Sequence, residues 1–363
     1  MQLFLTSFAS VPDPRAENTR HDLVEILFIA FVAVLCGAVH CSEMTEFGVA
    51  KRKFFKKVLK LKHGIPSHDT FCTVFRMLDP TAVDAAFRSF MAAFGKALAE
   101  TGIVAVDGKS LKGAYDKGAA HAPKMMVSAY AADLRMTLAT IAAEDRNEVD
   151  AALEVLGLID LKGVIVTADA LHCHRKMAAR IIERGGDYCL GLKGNQDSLL
   201  SDARSCLSKA KKNHPIAKTQ TRGHGRIETR RAIVVDAKGL AEHHEFPGLK
   251  AFGRIESTRQ VDGKIETETR IFALSRTLPP GQLLRTVRAH WQIENGLHWQ
   301  LDVALREDAA RNRKDHAPAN IAMLRRLALN LVRANTSKGS LSAKIKRAGW
   351  DDQFLLKLLG HMR

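Results

Sequence analysis

The feature that most constrains the fold is a set of five short apolar runs between residues 102 and 192: Gly102 to Val106, Lys124 to Ala131, Met136 to Ala142, Gly163 to Thr167 and Tyr188 to Leu192. Runs of this length satisfy their backbone polar groups as strands in a common sheet. Asn147 to Leu161 carries Val149, Leu153 and Leu156 at helical spacing between the third and fourth runs, and His174 to Glu183 separates the fourth from the fifth. The order β-β-β-α-β-α-β predicts an α/β layer structure rather than a purely doubly wound sheet.

Residues 21 to 100 read as helices. The run Ile26 to Val39 falls short of the roughly 20 residues that span a bilayer, so it predicts a buried core helix and no membrane segment. Gly64-Ile65-Pro66-Ser67 breaks the pattern, Asp69 or Thr70 is a candidate cap for a segment through Leu78, and Thr81 to Ala99 restarts after Asp79-Pro80. No basic residue precedes the apolar start, and Cys36, Cys41, Cys72, Cys173, Cys189 and Cys206 include no C-x-x-C pair. Free thiols, no secretory signal and a cytoplasmic, nucleoid-associated location are expected.

Beyond Leu192, a helix over Ser198 to Lys212 and alternating stretches at Arg230 to Val235 and Glu266 to Ala273, with an Asp262-Gly263 hairpin signal, predict an inserted strand-rich unit. After Pro279-Pro280-Gly281 a long helix runs to Leu305, and the rest is basic and mostly helical. The expected division is a helical region over 1–100, the first part of the core over 101–196, the insertion over 197–280, the returning core helix over 281–310 and a basic helical region over 311–363.

An apolar share of 46% with a net charge of +16 describes a compact fold that attracts polyanions, with nucleic acid the leading partner class. Lys51 to His63 holds seven Lys or Arg and no acid, interleaved with Phe54, Phe55, Val58, Leu59 and Leu61. This predicts a basic amphipathic helix with core packing inside and phosphates outside; a membrane-surface helix and a solvated face are the alternatives. Arg311 to Lys314, Arg325-Arg326 and Lys344 to Arg347 form a second basic concentration.

Three elements carry candidate chemistry. Val104-Ala105-Val106-Asp107-Gly108-Lys109 ends an apolar strand in an acid, although such an aspartate more often caps a turn. Val164 to Asp169 does the same. His290, Glu294 and His298 lie four apart on one helical stripe, opposite Ile293, Leu297 and Leu301, where the plain alternative is a solvated face. Hard oxygen ligands on rigid elements suit Mg²⁺ or Mn²⁺. His172-Cys173-His174 imitates a metal cluster, but adjacent residues on a turn rarely all face one ion, so a structural role is predicted.

In this order the motifs resemble bacterial insertion-sequence transposases with an Asp-Asp-Glu triad, in the group that includes H-repeat-associated proteins. The resemblance spans nearly the whole chain: Pro12-Asp13-Pro14-Arg15, His21, Cys36-Gly37-Ala38, Gly64 to Phe71, Asp107-Gly108-Lys109, Asp169-Ala170, Leu192 to Gln196, His224 to Glu228, His290 to Asn295, Leu297-His298-Trp299 and Leu301-Asp302-Val303. It implies an RNase H-like core and a triad of Asp107, Asp169 and Glu294. Two ions roughly 4 Å apart would activate the nucleophile and stabilise the leaving oxygen, with Asp107 bridging both and the other acids holding one side each. Water would cleave at the element's end, and the freed 3′-hydroxyl would attack target DNA.

Contacts to double-stranded DNA are expected from Lys109, Lys193, Asn195, Gln196, His224, Arg226, Arg230, Arg288, His290, Trp291 and His298, and a homodimer from the need to pair two ends. For Lys193, Asn195 and Gln196 a helix start with a polar cap is an equal alternative; for His224, Arg226 and Arg230 it is a solvated hairpin face. The chain has Asp145-Arg146 where members read Lys-Ser before Asn-Glu, and His290 and Leu301 where related transposases have arginine and lysine. A nuclease without strand transfer and a catalytically silent DNA-binding protein are the alternative functions.

Overall fold

The computed structural model describes residues 1–17, 19–94, 102–114, 124–143, 147–210, 214–223 and 225–361. His224, Asp145 and Arg146 lie outside the described residues. Among the described residues nine strands form one sheet: β1 (Ile103–Ser110), β2 (Met125–Ala131), β3 (Met136–Ala143), β4 (Ile165–Ala168), β5 (Asp187–Leu192), β6 (Ile216–Gly223), β7 (Arg226–Asp236), β8 (Ala251–Val261) and β9 (Lys264–Leu274), in the order β3-β2-β1-β4-β5-β9-β8-β7-β6. β1 runs antiparallel to β2 and parallel to β4, and β4 parallel to β5. The five apolar runs are the first five strands.

The strand-rich stretch does not form a sheet of its own. β9 pairs antiparallel with β5, from Cys189↔Leu274 to Leu192↔Ile271, and so carries β6 to β9 as a continuation of the first sheet. The buried residues of these strands gather at one end, at Ala232 to Val235, Ala251 to Gly253 with Ile255, and Ile271 to Leu274. Their distal halves, rich in Arg, Glu and Thr, stand in solvent as a ribbon. Its tip is at Asp262 and Gly263, whose φ values of 48° and 77° suit a primed hairpin turn.

Helices before the sheet are α1 (Gln2–Phe8), α2 (Leu23–Leu35), α3 (Cys41–Ala50), α4 (Arg52–Phe55), α5 (His68–Met77) and α6 (Pro80–Phe94). α7 (Glu148–Gly157), α8 (Arg175–Glu183), α9 (Asp197–Ser208) and α10 (Leu240–His243) lie between strands. α11 (Pro280–Gln292), α12 (Trp299–Val303), α13 (Ala317–Ala334), α14 (Leu341–Trp350) and α15 (Asp352–Gly360) complete the chain. No helix among the described residues is long and apolar enough to cross a membrane. α2, buried on every side from Ile26 to Leu35, packs on α13 and α3. Ser67 caps α5, its Oγ accepting from the Thr70 N–H, in place of the expected Asp69 or Thr70.

Two basic segments depart from expectation. Lys51 to His63 is one helical turn, α4, followed by a loop, because the Glu25 carboxylate accepts from the Lys60 and Leu61 amides and Leu61 takes a φ of 47°. Phe54, Phe55, Leu59 and Leu61 still point inward. In the tail, α13 is buried from Ala317 to Val332 and packs between α2 and β3. Arg325 and Arg326 are therefore core residues unable to reach phosphates. Arg325 donates to the Val39 carbonyl, and Arg326 pairs with Glu307 at 3.0 Å.

Candidate active site

β1 and β4 are parallel neighbours in register at Ala105↔Thr167, two residues before Asp107 and Asp169 respectively; Asp169 directly follows β4, whereas Asp107 lies inside β1, which continues to Ser110 paired with β2 instead of ending at the acid as expected. Glu294 comes from the other end of the sequence. Between α11 and α12 the helix widens into a π-turn over Ile293–His298 instead of continuing as the straight helix expected. Such turns recur at functional sites. Here the widened backbone is pressed onto Tyr130 and Arg333: the Arg333 guanidinium donates to the Gly296 carbonyl, and a Cβ at Gly296 would meet Tyr130 Oη at 2.7 Å.

The turn brings Glu294 and His298 to Asp107. His298 Nδ1 lies 3.5 Å from Glu294 Oε2 and 3.7 Å from Asp107 Oδ2, and the three donor atoms fall within 4.8 Å of one another. Burial, reinforced by the adjacent Glu294, pushes the Asp107 carboxyl up to about 8, whereas hydrogen bonding to His298 holds Glu294 well below the usual range. Two carboxylates beside one imidazole, on strand and helix, fit a divalent cation that would repay the buried charge. His298, expected among the DNA contacts, is buried in this group.

Asp169 is not part of that trio. It is exposed, and its Oδ1 accepts from the Leu171 amide to cap the turn Ala170–His172. It remains close enough to raise the pKa of His290, as does Glu294, but burial outweighs both and brings that imidazole down to about 4. His290 is thus neutral at pH 7, and its Nδ1 lies 3.2 Å from Thr167 Oγ1, pinning α11 to β4.

Other expected DNA contacts divide sharply. Lys109 turns inward, 2.9 Å from Asp302 and 3.2 Å from Asp308, because burial demands counter-charge. Asn195 spends its amide on the Ala170 and Cys173 carbonyls, fastening the turn that begins at Asp169. Lys193 is exposed in a small hollow with Arg204 and Arg254, and Gln196 precedes α9 without capping it.

Arg226, Arg230, Arg288 and Trp291 share a cleft of about 1340 Å³. One wall is the exposed ribbon of β6 to β9; the other is the Arg288, Trp291 and Asn295 face of the segment that carries Glu294. Trp291 is 48% exposed beneath the Arg270 guanidinium, and Arg230 is paired with Glu228 at 2.6 Å. Leu301, where related transposases have lysine, is fully buried. His172, Cys173 and His174 face different partners: His172 meets Glu148, His174 caps α8, and Cys173 is buried.

A cation held at Asp107 would displace the proton that the raised pKa of this carboxyl retains. Apparent Mn²⁺ affinity is therefore expected to climb between pH 6 and 8, roughly tenfold per unit for one proton released, and to level off above that. Titration calorimetry in buffers of different ionisation enthalpy checks the proton count; a flat affinity across this range would contradict the retained proton.

Residues 5–91 match the family described as DDE_Tnp_1-associated, and residues 98–331 match the Transposase DDE domain. The chain is 37% identical over 282 residues, 75% of this chain and 94% of the relative, to the "Uncharacterized protein in dhlA 3'region" of Xanthobacter autotrophicus. It is 30% identical over 361 residues, 96% of this chain and 95% of the relative, to the "H repeat-associated putative transposase YhhI" of Escherichia coli K12. Among solved structures, a piggyBac transposase synaptic complex with hairpin DNA gives a TM-score of 0.47 at 10% identity, covering all of this chain and 80% of that one. The family match extends over both the helical region and the sheet that carries the acids, and the chain belongs to the DDE transposases, in the group of the H repeat-associated proteins.

Proposed function

We propose that the protein cuts DNA at the ends of an insertion sequence and joins the freed 3′-hydroxyl strands to target DNA. The observation that carries this reading is the convergence of Asp107, Glu294 and His298 next to a cleft rich in arginine. On this reading β1 to β5 form an RNase H-like core and β6 to β9 an extension for DNA. Residues 1–100 form the helical domain, 281–310 return to the core, and 311–363 close it.

Asp107 and Glu294, with Asp169 from the rim, would hold Mg²⁺ or Mn²⁺, most simply a pair, which supplies activation of the attacking oxygen and stabilisation of the leaving one. Arg226, Arg230 and Arg288 hold phosphates across the cleft, and Trp291 offers a flat face to the nucleic acid. Neutral His290 keeps α11 in register with β4 without adding charge among the acids. Lys109, locked to Asp302 and Asp308, braces the end of β1. Pairing of two ends calls for a homodimer on DNA, in the cytoplasm at the nucleoid.

The test incubates the purified chain with DNA bearing its gene's own flanking ends and Mg²⁺ or Mn²⁺. Appearance of 3′-hydroxyl ends followed by joined product supports the reading. Cutting without joining makes it a nuclease; binding without cutting under either metal makes it a silent DNA-binding protein. In the same material, Arg226→Ala and Arg288→Ala should each weaken binding evenly across sequences and lower the slope of log affinity against log salt by about 1. An unchanged slope would remove that arginine from the phosphate contacts.

A further inference from the structure

A second group of donor atoms converges away from the acids beside the cleft. Among the described residues, Asp202, His243 and His244 each present one ligand atom within 4.8 Å of the others. Asp202 projects from the middle of α9, and the two histidines are the last residue of α10 and its C-cap, in the loop that joins β7 to β8. His244 is buried, and its Nε2 lies 2.8 Å from Asp202 Oδ2. Consecutive residues of a regular helix point about 100° apart. Here α10 stops at His243, the chain leaves through Glu245 at a φ of 47°, and the exposed His243 ring stands edge-on to His244 with centroids 4.7 Å apart. His172, Cys173 and His174, equally close in sequence, turn to different partners instead.

The elements carrying these donors are fixed by other contacts. In the loop, Ala237, Phe246 and Leu249 are buried, the Tyr188 hydroxyl donates to the Pro247 carbonyl at 2.9 Å, and Arg175 Nε donates to the His244 carbonyl at 2.9 Å. α9 packs on β7 and β8 and buries Leu199, Leu200, Ala203 and Leu207 in the same apolar cluster. That cluster includes Val104 and Val106, whereas Ala105 between them packs with Ile293 and Leu297. Alternate residues of a strand point to opposite faces, so Asp107 shares the face of Ala105. The Asp202 group therefore lies on the other face of the sheet from the Asp107, Glu294 and His298 trio.

Two imidazoles and one carboxylate suit a borderline transition-metal ion better than Mg²⁺ or Mn²⁺, which favour oxygen. Donors 2.0–2.1 Å from a tetrahedral Zn²⁺ lie roughly 3.3 Å apart, with water at the fourth position. The Asp202 and His244 atoms are already nearer than that, and the exposed His243 side chain can swing in to complete the set. We propose that Asp202, His243 and His244 bind an ion of the zinc class, and that this ion fastens α9 to the β7–β8 loop at the root of the ribbon. The site is separate from Asp107 and Glu294 and does not depend on their reading as cation ligands.

The test titrates the untagged, metal-free, full-length chain with Zn²⁺ against a chromophoric chelator, with bound zinc counted by atomic absorption and circular dichroism verifying the fold. Asp107→Asn with Glu294→Gln is the background, so that zinc taken up by the trio on the other face does not enter the count. One Zn²⁺ per chain is expected in it. Loss of an outer-shell partner alone costs about 10- to 100-fold in metal affinity, so His243→Ala should weaken zinc binding at least tenfold. Asp202→Asn keeps an acceptor oxygen for His244 while removing the charge, and should lose as much; a purely structural Asp202–His244 pair would leave zinc affinity unmoved. Saturating Zn²⁺ should also raise the urea midpoint of the background protein and leave that of His243→Ala where it was. The inference is overturned if the background protein takes up no stoichiometric zinc, or if His243→Ala binds within twofold of it, since Asp202 and His244 are then an ordinary hydrogen-bonded pair. Should Asp202→Asn not fold, His243→Ala decides, because its side chain is exposed and its removal leaves the core intact. A urea midpoint indifferent to zinc would end the fastening role.

Discussion

On the proposed reading, Asp107→Asn and Glu294→Gln are each expected to lower metal-dependent cleavage of end-bearing DNA by on the order of 10³ or more, about 4 kcal/mol of barrier, while DNA affinity stays near wild type. The amides keep the size of the side chains and remove the negative charge that a cation requires. Both residues sit inside the trio with His298, and neither lines the adjoining cleft whose arginines would hold DNA. Asp169→Asn should cost as much, although Asp169 caps a turn from the rim. Single-turnover cleavage of a labelled end measures all three, and a loss below tenfold for either Asp107 or Glu294 would sink the catalytic assignment.

The same substitution carries a stability signature. Because the folded-state pKa of Asp107 is raised, the native protein holds a proton that the unfolded chain gives up near pH 4. Stability from this group is therefore lost as pH rises from about 4 towards about 8. Metal-free Asp107→Asn should lose that slope and resist urea better than wild type at pH 8. An identical pH dependence in the two proteins would contradict the burial of this charge.

Glu307→Ala is expected to cost about 3 to 5 kcal/mol of folding stability, read as a shift in the urea midpoint. Arg326 and Glu307 both have fully buried side chains 3.0 Å apart, and the arginine also bonds Ser128 Oγ and the Ala322 carbonyl. The pair therefore ties α13 to β2 and to the turn Glu307–Ala309. Truncating the acid leaves a guanidinium stranded in the core, where its remaining hydrogen-bond partners among the described residues, Ser128 Oγ and the Ala322 carbonyl, are neutral. Glu307→Gln, which retains an acceptor oxygen, should cost less. A change below about 1 kcal/mol in Glu307→Ala would mean that water or a backbone shift relieves the charge.

Much of the scaffold was legible because it depends on local pattern. Five apolar runs became β1 to β5, the Ile26 to Val39 run became a buried helix, and Asp262-Gly263 became a hairpin tip, since burial periodicity and turn conformation are written in adjacent residues. The ordered motifs marked the group to which the chain belongs. Less legible was anything decided by a distant partner. Lys109, Arg325 and Arg326 looked like phosphate ligands, yet each meets its acceptors across the chain: Asp302 and Asp308, Val39, and Glu307. Glu148 ended a variant motif, and only the close approach of α7 to β1 sets its carboxylate over Gly108 and beside His172.

By itself, then, the sequence determined the strands, the buried helices, the basic balance and the acid that follows β4, while β1 runs three residues past Asp107. Tertiary structure alone decided that β9 would join β5 and make one sheet of nine strands, and that a π-turn braced on Tyr130 and Arg333 would deliver Glu294 and His298 to Asp107. The reason is physical: hydrophobic period is a property of neighbours in sequence, whereas the fate of a charge is set by whichever counter-charge or desolvating surface the fold brings to it.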